Sequence, residues 1–233
     1  MDGNLKYRHE LKYSCSAGQI AIIQSRLQNL MPFDQHAQNG CYTVRSMYFD
    51  NYENRCFYEN ESGCDPREKF RVRIYNANDS RISLECKRKE RGKTHKTSCL
   101  LSREQYSRLA EGGGSLDLSD APELLRRFWV LMKTQRFTPS VIVEYDRTPY
   151  VYKIGNVRIT LDRNIRSSND FDRFFEANMT TRPILPHGQH LLEVKYDELL
   201  PGFIMENLEL GSLQQTTFSK FYLCRKYIAG GNL

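Results

Sequence analysis

The sequence lacks the paired cysteines of a zinc ribbon or of a disulfide-stapled fold. Its seven cysteines are odd in number and contain no Cys-x-x-Cys spacing, which argues against both. The five histidines show no metal-ligand spacing either. Several cysteines lie in apolar or amphipathic runs, where a reduced thiol behaves as a small hydrophobic group. We therefore expect a reducing, cytoplasmic setting.

The sequence also has no long apolar run, no repeat of solenoid length and no low-complexity tract. No stretch approaches the length of a membrane span, and residues 1–6 carry no apolar signal region. A chain of 233 residues with 39% hydrophobic residues can fill one sizeable core. We predict one domain over residues 1–233 and no membrane span.

Charge is abundant, with a moderate excess of basic over acidic residues. The formal net charge is +6 and the sequence pI is about 8.9. This balance points to an anionic partner. A protein with a solvated basic surface has the same composition, so charge alone leaves both interpretations open.

Two neighbouring segments alternate between basic and apolar side chains. In residues 70–75 the arginines Arg71 and Arg73 share one face, and apolar residues occupy the other. Residues 83–89 place Glu85, Lys87 and Lys89 on one face in the same way. Residues 76–80 have turn composition, so the two segments are predicted to form an antiparallel hairpin.

The same alternation recurs along the chain, and helical patterns lie between the strands. We predict further strands at residues 7–13, 42–49, 94–99, 141–147, 150–154, 157–162 and 191–196. Helices are predicted after Ser16 and Ser102, which are suitable N-caps, and at residues 51–58, 120–135, 201–210 and 218–228. Six to eight strands joined mainly as hairpins indicate an antiparallel barrel or strongly curved sheet with helices packed against it.

The charged strand faces are basic, with a minority of carboxylates. The basic members are Arg8, Lys12, Arg71, Arg73, Lys87, Lys89, Arg147 and Arg158; the acidic members are Glu10, Glu85, Asp162 and Glu193. Like charges directly opposite one another destabilise a sheet unless an anion or water compensates them. Turned inward, this face would form a channel for phosphates, with a divalent cation on the carboxylates. Turned outward, it would be an ordinary solvated surface.

Several of these segments resemble one known family, the VTC (vacuolar transporter chaperone) catalytic domain. This is the polyphosphate polymerase branch of the triphosphate tunnel metalloenzyme, or CYTH-like, superfamily. The matching motifs, in family order, are Arg8-x-Glu10-x-Lys12-Tyr13, Ser46-Met47-Tyr48-Phe49-Asp50, Arg71-Val72-Arg73, Glu85-x-Lys87, Tyr145-x-Arg147, Val157-Arg158-Ile159-x-Leu161-Asp162, Leu192-Glu193-Val194-Lys195 and Phe218-Ser219-Lys220-Phe221.

The resemblance implies an α+β fold: an antiparallel eight-stranded β-barrel tunnel with helices on the outside. It implies transfer of the terminal phosphoryl group of ATP to a growing polyphosphate chain, with Mn²⁺ or Mg²⁺ required. The phosphate-gripping residues would be Lys12, Arg71, Arg73, Lys87, Arg147, Arg158 and Lys220. Further cofactor-binding positions would be Glu10, Glu85, Lys89, Lys96 and Lys195, and the metal ligand would be Glu193.

One departure from the superfamily pattern narrows the range of reactions that the resemblance implies. The superfamily begins with Glu-x-Glu-x-Lys, and here Arg8 takes the place of the first glutamate. This favours a polymerase over a two-metal triphosphatase or an adenylate cyclase. The family's eukaryotic members also carry an inositol-phosphate-sensing domain and membrane helices; this sequence shows neither, so we expect a free-standing catalytic domain of microbial type. Because phosphoryl transfer mainly requires positioning and charge stabilisation, we expect no Ser-His or Cys-His dyad.

Two alternatives stay open at this point: a tripolyphosphatase or nucleoside triphosphatase of the same fold, and a non-catalytic polyphosphate-binding module. Nucleic acid is not expected as a partner, because the aromatic residues alternate with aliphatic ones rather than with the basic positions. A membrane-associated partner that receives polyphosphate is conceivable, although nothing in this sequence encodes one.

Overall fold

The computed structural model describes residues 8–37, 39–112 and 114–230. Tyr7, which the sequence pattern places in the first strand, lies outside these residues. The chain divides into two compact units. The first is Met1–Thr43, Tyr145–Ile165 and Leu185–Ser219; the second is Val44–Glu144, Arg166–Ile184 and Lys220–Leu233. The single domain over 1–233 stays a prediction.

The secondary structure consists of strands with helices between them. The strands are β1 His9–Ser16, β2 Tyr42–Asp50, β3 Arg67–Tyr75, β4 Asn78–Glu90, β5 Lys93–Leu101, β6 Thr138–Tyr152, β7 Val157–Ser168, β8 Arg182–Pro183, β9 Gln189–Tyr196 and β10 Gln214–Gln215. The α-helices are α1 Ala17–Leu27, α2 Arg55–Glu61, α3 Arg103–Ala110, α4 Glu123–Gln135, α5 Gly202–Leu208 and α6 Lys220–Gly230. The α+β class is confirmed.

The expectation of an eight-stranded closed barrel is wrong in two respects. The sheet has ten strands, and its hydrogen-bonded path runs β10-β1-β9-β7-β6-β2-β3-β4-β5, with β8 paired to β7. Within the described residues this path has two ends, β10 and β5, so the ladder does not close. The additional strands β8 and β10 have two residues each, which is too short for a period-two pattern to reveal.

In the first unit, strand alternation separates an apolar face from a polar one. Strand β9 pairs with β1 on one side and with β7 on the other, both antiparallel. The apolar positions of these strands join helix α1 in one core, whose fully or almost fully buried members include Ile20, Leu27, Ile159, Leu192 and Val194. The residues between them in sequence therefore share the opposite face of the sheet.

The second unit is built on the same principle. Phe70, Val72 and Ile74 on β3 are 0–1% exposed, and Phe70 stacks on Phe128 of α4 with ring centroids 4.9 Å apart. This packing fixes the register of β3, since a shift by one residue would exchange its two faces. Arg71 and Arg73 are thereby held on the face away from α4.

The predicted hairpin is confirmed, with a tighter turn than expected. Strand β4 begins at Asn78, so only Asn76 and Ala77 form the turn, both with φ of 52°. Two residues with positive φ are the pattern of the turn whose twist matches paired antiparallel strands. The predicted turn over 76–80 was too long because Asp79 and Ser80 have turn composition.

One predicted break in the sheet is wrong. Residues 141–147 and 150–154 were expected to form two strands, whereas β6 is continuous over Thr138–Tyr152. Pro149 lacks an N–H but still accepts a hydrogen bond at its carbonyl from Asp34 N, 3.1 Å away. A proline therefore did not end this strand.

The predicted helices are present, with boundaries shifted by a few residues. Ser16 and Ser102 each cap a helix through a complete capping box, closed by Gln19 and Gln105 respectively. None of the helices in the described part of the chain combines the length and apolar character that a bilayer crossing requires.

Candidate functional site

In the second unit, basic side chains converge on Glu85, and we name this group the Glu85 cluster. Arg71 Nε and Nη2 donate to Glu85 Oε2 at 2.8 and 2.6 Å. Arg73 Nη1 lies 3.7 Å from the same oxygen, and Lys96 Nζ lies 3.4 Å from Oε1. Glu85 is 3% exposed. Four predicted site residues are therefore brought into one cluster.

Strand β2 fixes the orientation of the two arginines. Ser46 is opposite Arg73 in register, and Tyr48 is opposite Arg71. Arg73 Nε donates to Ser46 Oγ at 3.1 Å, and Arg71 Nη1 donates to the Tyr48 hydroxyl at 2.7 Å. The sequence resemblance included both β2 residues in a motif but gave them no role. Their position opposite the arginines supplies one.

Lys87 and Lys89 extend the same face of this unit. Lys87 on β4 stands opposite Lys69 on β3 and Lys96 on β5, so three lysines form one row across three strands. Lys89 stands in the next same-face row, opposite Arg67. Lys220 begins α6; the ring of the following residue, Phe221, lies 5.0 Å from that of Tyr48. Glu85 is the carboxylate in this predominantly basic set.

The charge environment of Glu85 lowers its pKa. Burial alone would raise the pKa of this carboxyl, but Arg73, Arg71 and Lys96 together bring the pKa well below its usual range. Glu85 is therefore an anion at every physiological pH. It neutralises part of the basic face and holds the arginines in place, which is a different role from that of a metal ligand.

A prediction about acid stability follows from this pKa. Because the folded pKa is depressed, the ionised Glu85 stabilises the fold above its usual pKa of about 4.3, and this contribution is lost as the pH falls below that value. Glu85→Gln should lower the free energy of unfolding at pH 7 by about 3 kcal/mol and flatten the loss of stability below pH 5. Urea unfolding from pH 3 to 8 measures both. A variant with wild-type acid dependence would contradict the assignment.

The polar face of the first unit carries a second group, which we name the Glu193 cluster. Across β1, β9 and β7 the register gives two adjacent rows. One row consists of Lys12, Glu193 and Thr160, and the other of Glu10, Lys195 and Arg158. Opposite charges thus alternate along β1 and β9 and face each other across this pair, which stabilises it. Across β9 and β7, by contrast, Lys195 stands opposite Arg158, which has the same charge.

Ion pairs connect members of the Glu193 cluster and add two further residues to it, Arg147 and Asp162. Lys12 Nζ is 3.0 Å from Glu10 Oε1, and Lys195 Nζ is 3.3 Å from Glu193 Oε1. Arg147 binds Asp162 with two hydrogen bonds of 2.7 and 2.8 Å, and its Nη2 lies 3.4 Å from Glu193 Oε2. Glu193, Asp162 and Arg147 are 4%, 0% and 7% exposed.

Burial acts on two cations of this unit, Lys195 and Arg147, in different ways. Burial lowers the pKa of Lys195, and the opposing effects of Glu193 and Glu10 do not fully restore it. Burial would also lower the pKa of Arg147, but the adjacent Asp162 raises it well above its ordinary value. Arg147 therefore stays charged, and its shortest contacts are with Asp162. The family resemblance implied a phosphate contact for this residue.

Two further arginines of this unit have carboxylate partners that sequence reasoning missed. Arg158 Nη2 lies 2.9 Å from Asp34 Oδ2 and donates to the Tyr42 hydroxyl at 3.0 Å. Arg8, in the position of the missing superfamily glutamate, pairs with Asp197 at 2.9 Å. Neither acid belonged to a recognisable motif, so no sequence signal pointed to it.

The carboxylates of the Glu193 cluster have the donor chemistry of a Mn²⁺ or Mg²⁺ site. Glu10, Glu193 and Asp162 lie on three neighbouring strands and share one face. Among the described residues, however, no group of three or more acidic, histidine or cysteine side chains is arranged to hold a metal ion. Mg²⁺ commonly binds one or two carboxylates together with substrate phosphates. The donor set of these carboxylates therefore fits an ion that binds together with phosphate.

Comparison with known proteins decides the family. The sequence model of the VTC domain matches residues 7–228. The chain belongs to the VTC domain family. A search of curated proteins finds no match to this VTC domain.

Solved structures share the fold of this VTC domain. An adenylyl cyclase candidate from Hippeastrum, described as having a dominant triphosphatase activity, is 13% identical with a TM-score of 0.56, over 94% of this chain and 95% of its own. The PH1819 protein from Pyrococcus horikoshii is 13% identical with a TM-score of 0.50, over 96% and 99% of the two chains. An adenylate cyclase candidate from Bacillus halodurans is 15% identical with a TM-score of 0.50, over 90% and 92%. At 13–15% identity these structures show a shared fold, and the predicted VTC domain family is confirmed.

Proposed function

We propose that this VTC domain is a polyphosphate polymerase that transfers the γ-phosphoryl group of ATP to a growing polyphosphate chain. The observation that carries the proposal is the Glu85 cluster with its row of lysines. Arg71 and Arg73 are fixed by β2, and Lys87 and Lys96 stand in the adjacent row. Such a face suits a substrate and a product that are both linear polyphosphates.

The residues of the chain supply what phosphoryl transfer requires. In this reaction the protein mainly positions the reactants and stabilises the charge on the equatorial oxygens of the transferred group. Arg71 and Arg73 offer planar donors held in place before substrate binds, which is the arrangement that favours electrostatic stabilisation. In the same unit, Lys87 and Lys220 add positive charge, and neither has the planar, two-pronged donor group of an arginine. No nucleophilic side chain is required.

A divalent cation, when bound, would neutralise charge on the phosphate oxygens. Glu193, assisted by Glu10, would hold it, which agrees with the donor chemistry of the cluster. Lys12 and Lys195 would then be released from their contacts with these carboxylates at 3.0 and 3.3 Å. In the proposal both lysines turn to phosphate oxygens.

One assay tests the proposed activity against its alternatives. Purified protein is incubated with ATP and Mn²⁺, and ADP, free phosphate and long-chain polyphosphate are followed. Polyphosphate formed together with ADP supports the polymerase. Free phosphate without chain growth supports a triphosphatase, the activity described for the Hippeastrum protein. Tight triphosphate binding without turnover identifies a binding module and overturns the enzymatic proposal.

Arg73→Ala should weaken substrate binding more than it weakens the fold. Loss of charge-assisted hydrogen bonds to phosphate predicts a Kd for tripolyphosphate about 10- to 100-fold higher by calorimetry. The stability loss should stay near 1 kcal/mol, because Arg73 is 3.7 Å from Glu85 and Arg71 keeps its closer contacts. Arg88→Ala is the matched control, since Arg88 lies on the other face of β4 and pairs with Glu68 and Glu90. Equal effects of both variants on Kd would contradict the proposal.

The proposal also includes a reducing, cytoplasmic setting. All seven cysteines are free thiols, and four of them, Cys15, Cys56, Cys86 and Cys224, are buried. Burial raises the pKa of Cys15 and Cys86 to about 11, so these thiols are unreactive packing groups.

A further inference from the structure

The hydroxyl group of Thr160 is buried in the Glu193 cluster without a partner. Thr160 lies on β7 and is 2% exposed. Its Oγ1 has no hydrogen-bond partner among the described residues. The large majority of buried side-chain polar atoms in folded proteins are hydrogen-bonded, and those that are not carry a desolvation cost. A hydroxyl kept in such a place requires a reason.

The register places Thr160 directly opposite Glu193. The two residues are paired in the β7–β9 ladder and share the polar face with Arg158 and Asp162. Residues directly opposite in an antiparallel pair have Cβ atoms about 4.5–5.5 Å apart. A hydroxyl on one of them can therefore reach a carboxylate on the other after rotation of the longer side chain.

The contacts of Glu193 with its two cations are longer than those of the neighbouring carboxylate. Lys195 and Arg147 lie 3.3 and 3.4 Å from its oxygens, whereas Asp162 accepts two bonds of 2.7 and 2.8 Å. Charge-assisted N–H···O bonds are typically about 2.7–2.9 Å long. Glu193 is thus held less tightly by Lys195 and Arg147 than Asp162 is held by Arg147.

We propose that Thr160 is a positioning residue for Glu193. When Glu193 turns from Lys195 and Arg147 toward a divalent cation bound with substrate phosphates, the Thr160 hydroxyl donates to the carboxylate oxygen that does not face the cation. This rests on the proposed function, in which Glu193 holds the metal. An outer-shell donor of this kind fixes a ligand and is commonly worth about 10- to 100-fold in metal affinity.

Thr160→Val, which keeps the shape and removes the hydroxyl, tests the proposal. In metal-free protein its Tm should be equal to or above that of the wild type, because no hydrogen bond is lost. The Mn²⁺ concentration for half-maximal binding in the presence of tripolyphosphate, read from the electron paramagnetic resonance of free Mn²⁺, should rise about tenfold. Thr160→Ser, which keeps a hydroxyl group, should bind Mn²⁺ at the same concentration as the wild type. Ser167→Ala is the matched control, since Ser167 Oγ lies on the same strand, is equally buried and also has no partner among the described residues.

Each outcome has a distinct meaning. A Thr160→Val protein with wild-type Mn²⁺ binding overturns the inference, whether or not its Tm falls. A shift of equal size in Ser167→Ala also overturns it. If the wild-type protein binds no Mn²⁺ with tripolyphosphate, or Glu193→Gln binds it as well as wild type, the metal assignment of the proposed function fails first.

Discussion

Glu193→Gln should abolish metal-dependent turnover and leave the protein folded. Outer-shell partners of metal ligands are worth about 10- to 100-fold, so loss of the ligand's charge should cost more than about 100-fold in kcat. Glutamine has nearly the same shape, and its single carbonyl oxygen can still accept a hydrogen bond from one of the two cations, Lys195 or Arg147, which lie 3.3 and 3.4 Å from different oxygens of Glu193. The sheet register around it should therefore survive. The measurement is ADP release from ATP at saturating Mn²⁺, with circular dichroism to verify the fold.

Asp197→Asn provides the control for this variant. Asp197 follows the same strand and also pairs with an arginine, Arg8, but its side chain is 32% exposed. Its removal should change turnover less than twofold. Turnover by Glu193→Gln within a few-fold of wild type would show that the metal lies elsewhere or is not needed.

Asp162→Ala should produce the largest loss of stability. Asp162 is fully buried and accepts two hydrogen bonds from Arg147. Removing one partner of a buried ion pair leaves the other charge uncompensated, at a cost of about 3–5 kcal/mol. Loss of the carboxylate leaves the Arg147 guanidinium with Glu193, 3.4 Å away, as its remaining described acidic contact. Guanidinium chloride unfolding at pH 7 measures the change.

The matched control is an exposed pair of the same chemistry. Asp79 lies 3.5 Å from Arg103, and both side chains are more than half exposed. Asp79→Ala should cost less than about 1 kcal/mol. If Asp162→Ala were as mild as this surface substitution, Arg147 would not depend on Asp162, and its assignment to phosphate alone would stand.

The sequence predicted the features that depend on local periodicity. Alternation of arginine with apolar residues in 70–75 identified β3 and its polar face, because one face packs on Phe128. The serines at 16 and 102 located two helix starts through their capping boxes. Each of these signals is formed by residues that are close together in the sequence, so a single sequence is enough to recognise it.

Features that depend on distant partners could not be predicted. Arg45 and Glu144 form a buried ion pair across 99 positions of sequence, and Arg45 also donates to the Phe174 carbonyl. Nothing in the residues around Arg45 indicates this partner. The ion pair between Arg147 and Asp162 was missed for the same reason. The sequence pattern around a basic residue is the same whether its partner is a carboxylate or a phosphate.

Because the alternation of side chains along β3 is fixed, an insertion or deletion has different structural consequences at different positions of the second unit. Loss of a single residue between 70 and 74 would exchange the two faces of the strand on one side of the deletion, because side chains alternate at every position. Loss of Phe70, for example, would turn Arg71 and Arg73 toward Phe128 if the rest of the strand shifted by one position. Addition of a residue between Asn76 and Ala77 would lengthen a turn and leave both faces of the paired strands as they are. Length variation among related sequences should therefore be concentrated at the hairpin turn, and residues 70–74 should be free of it.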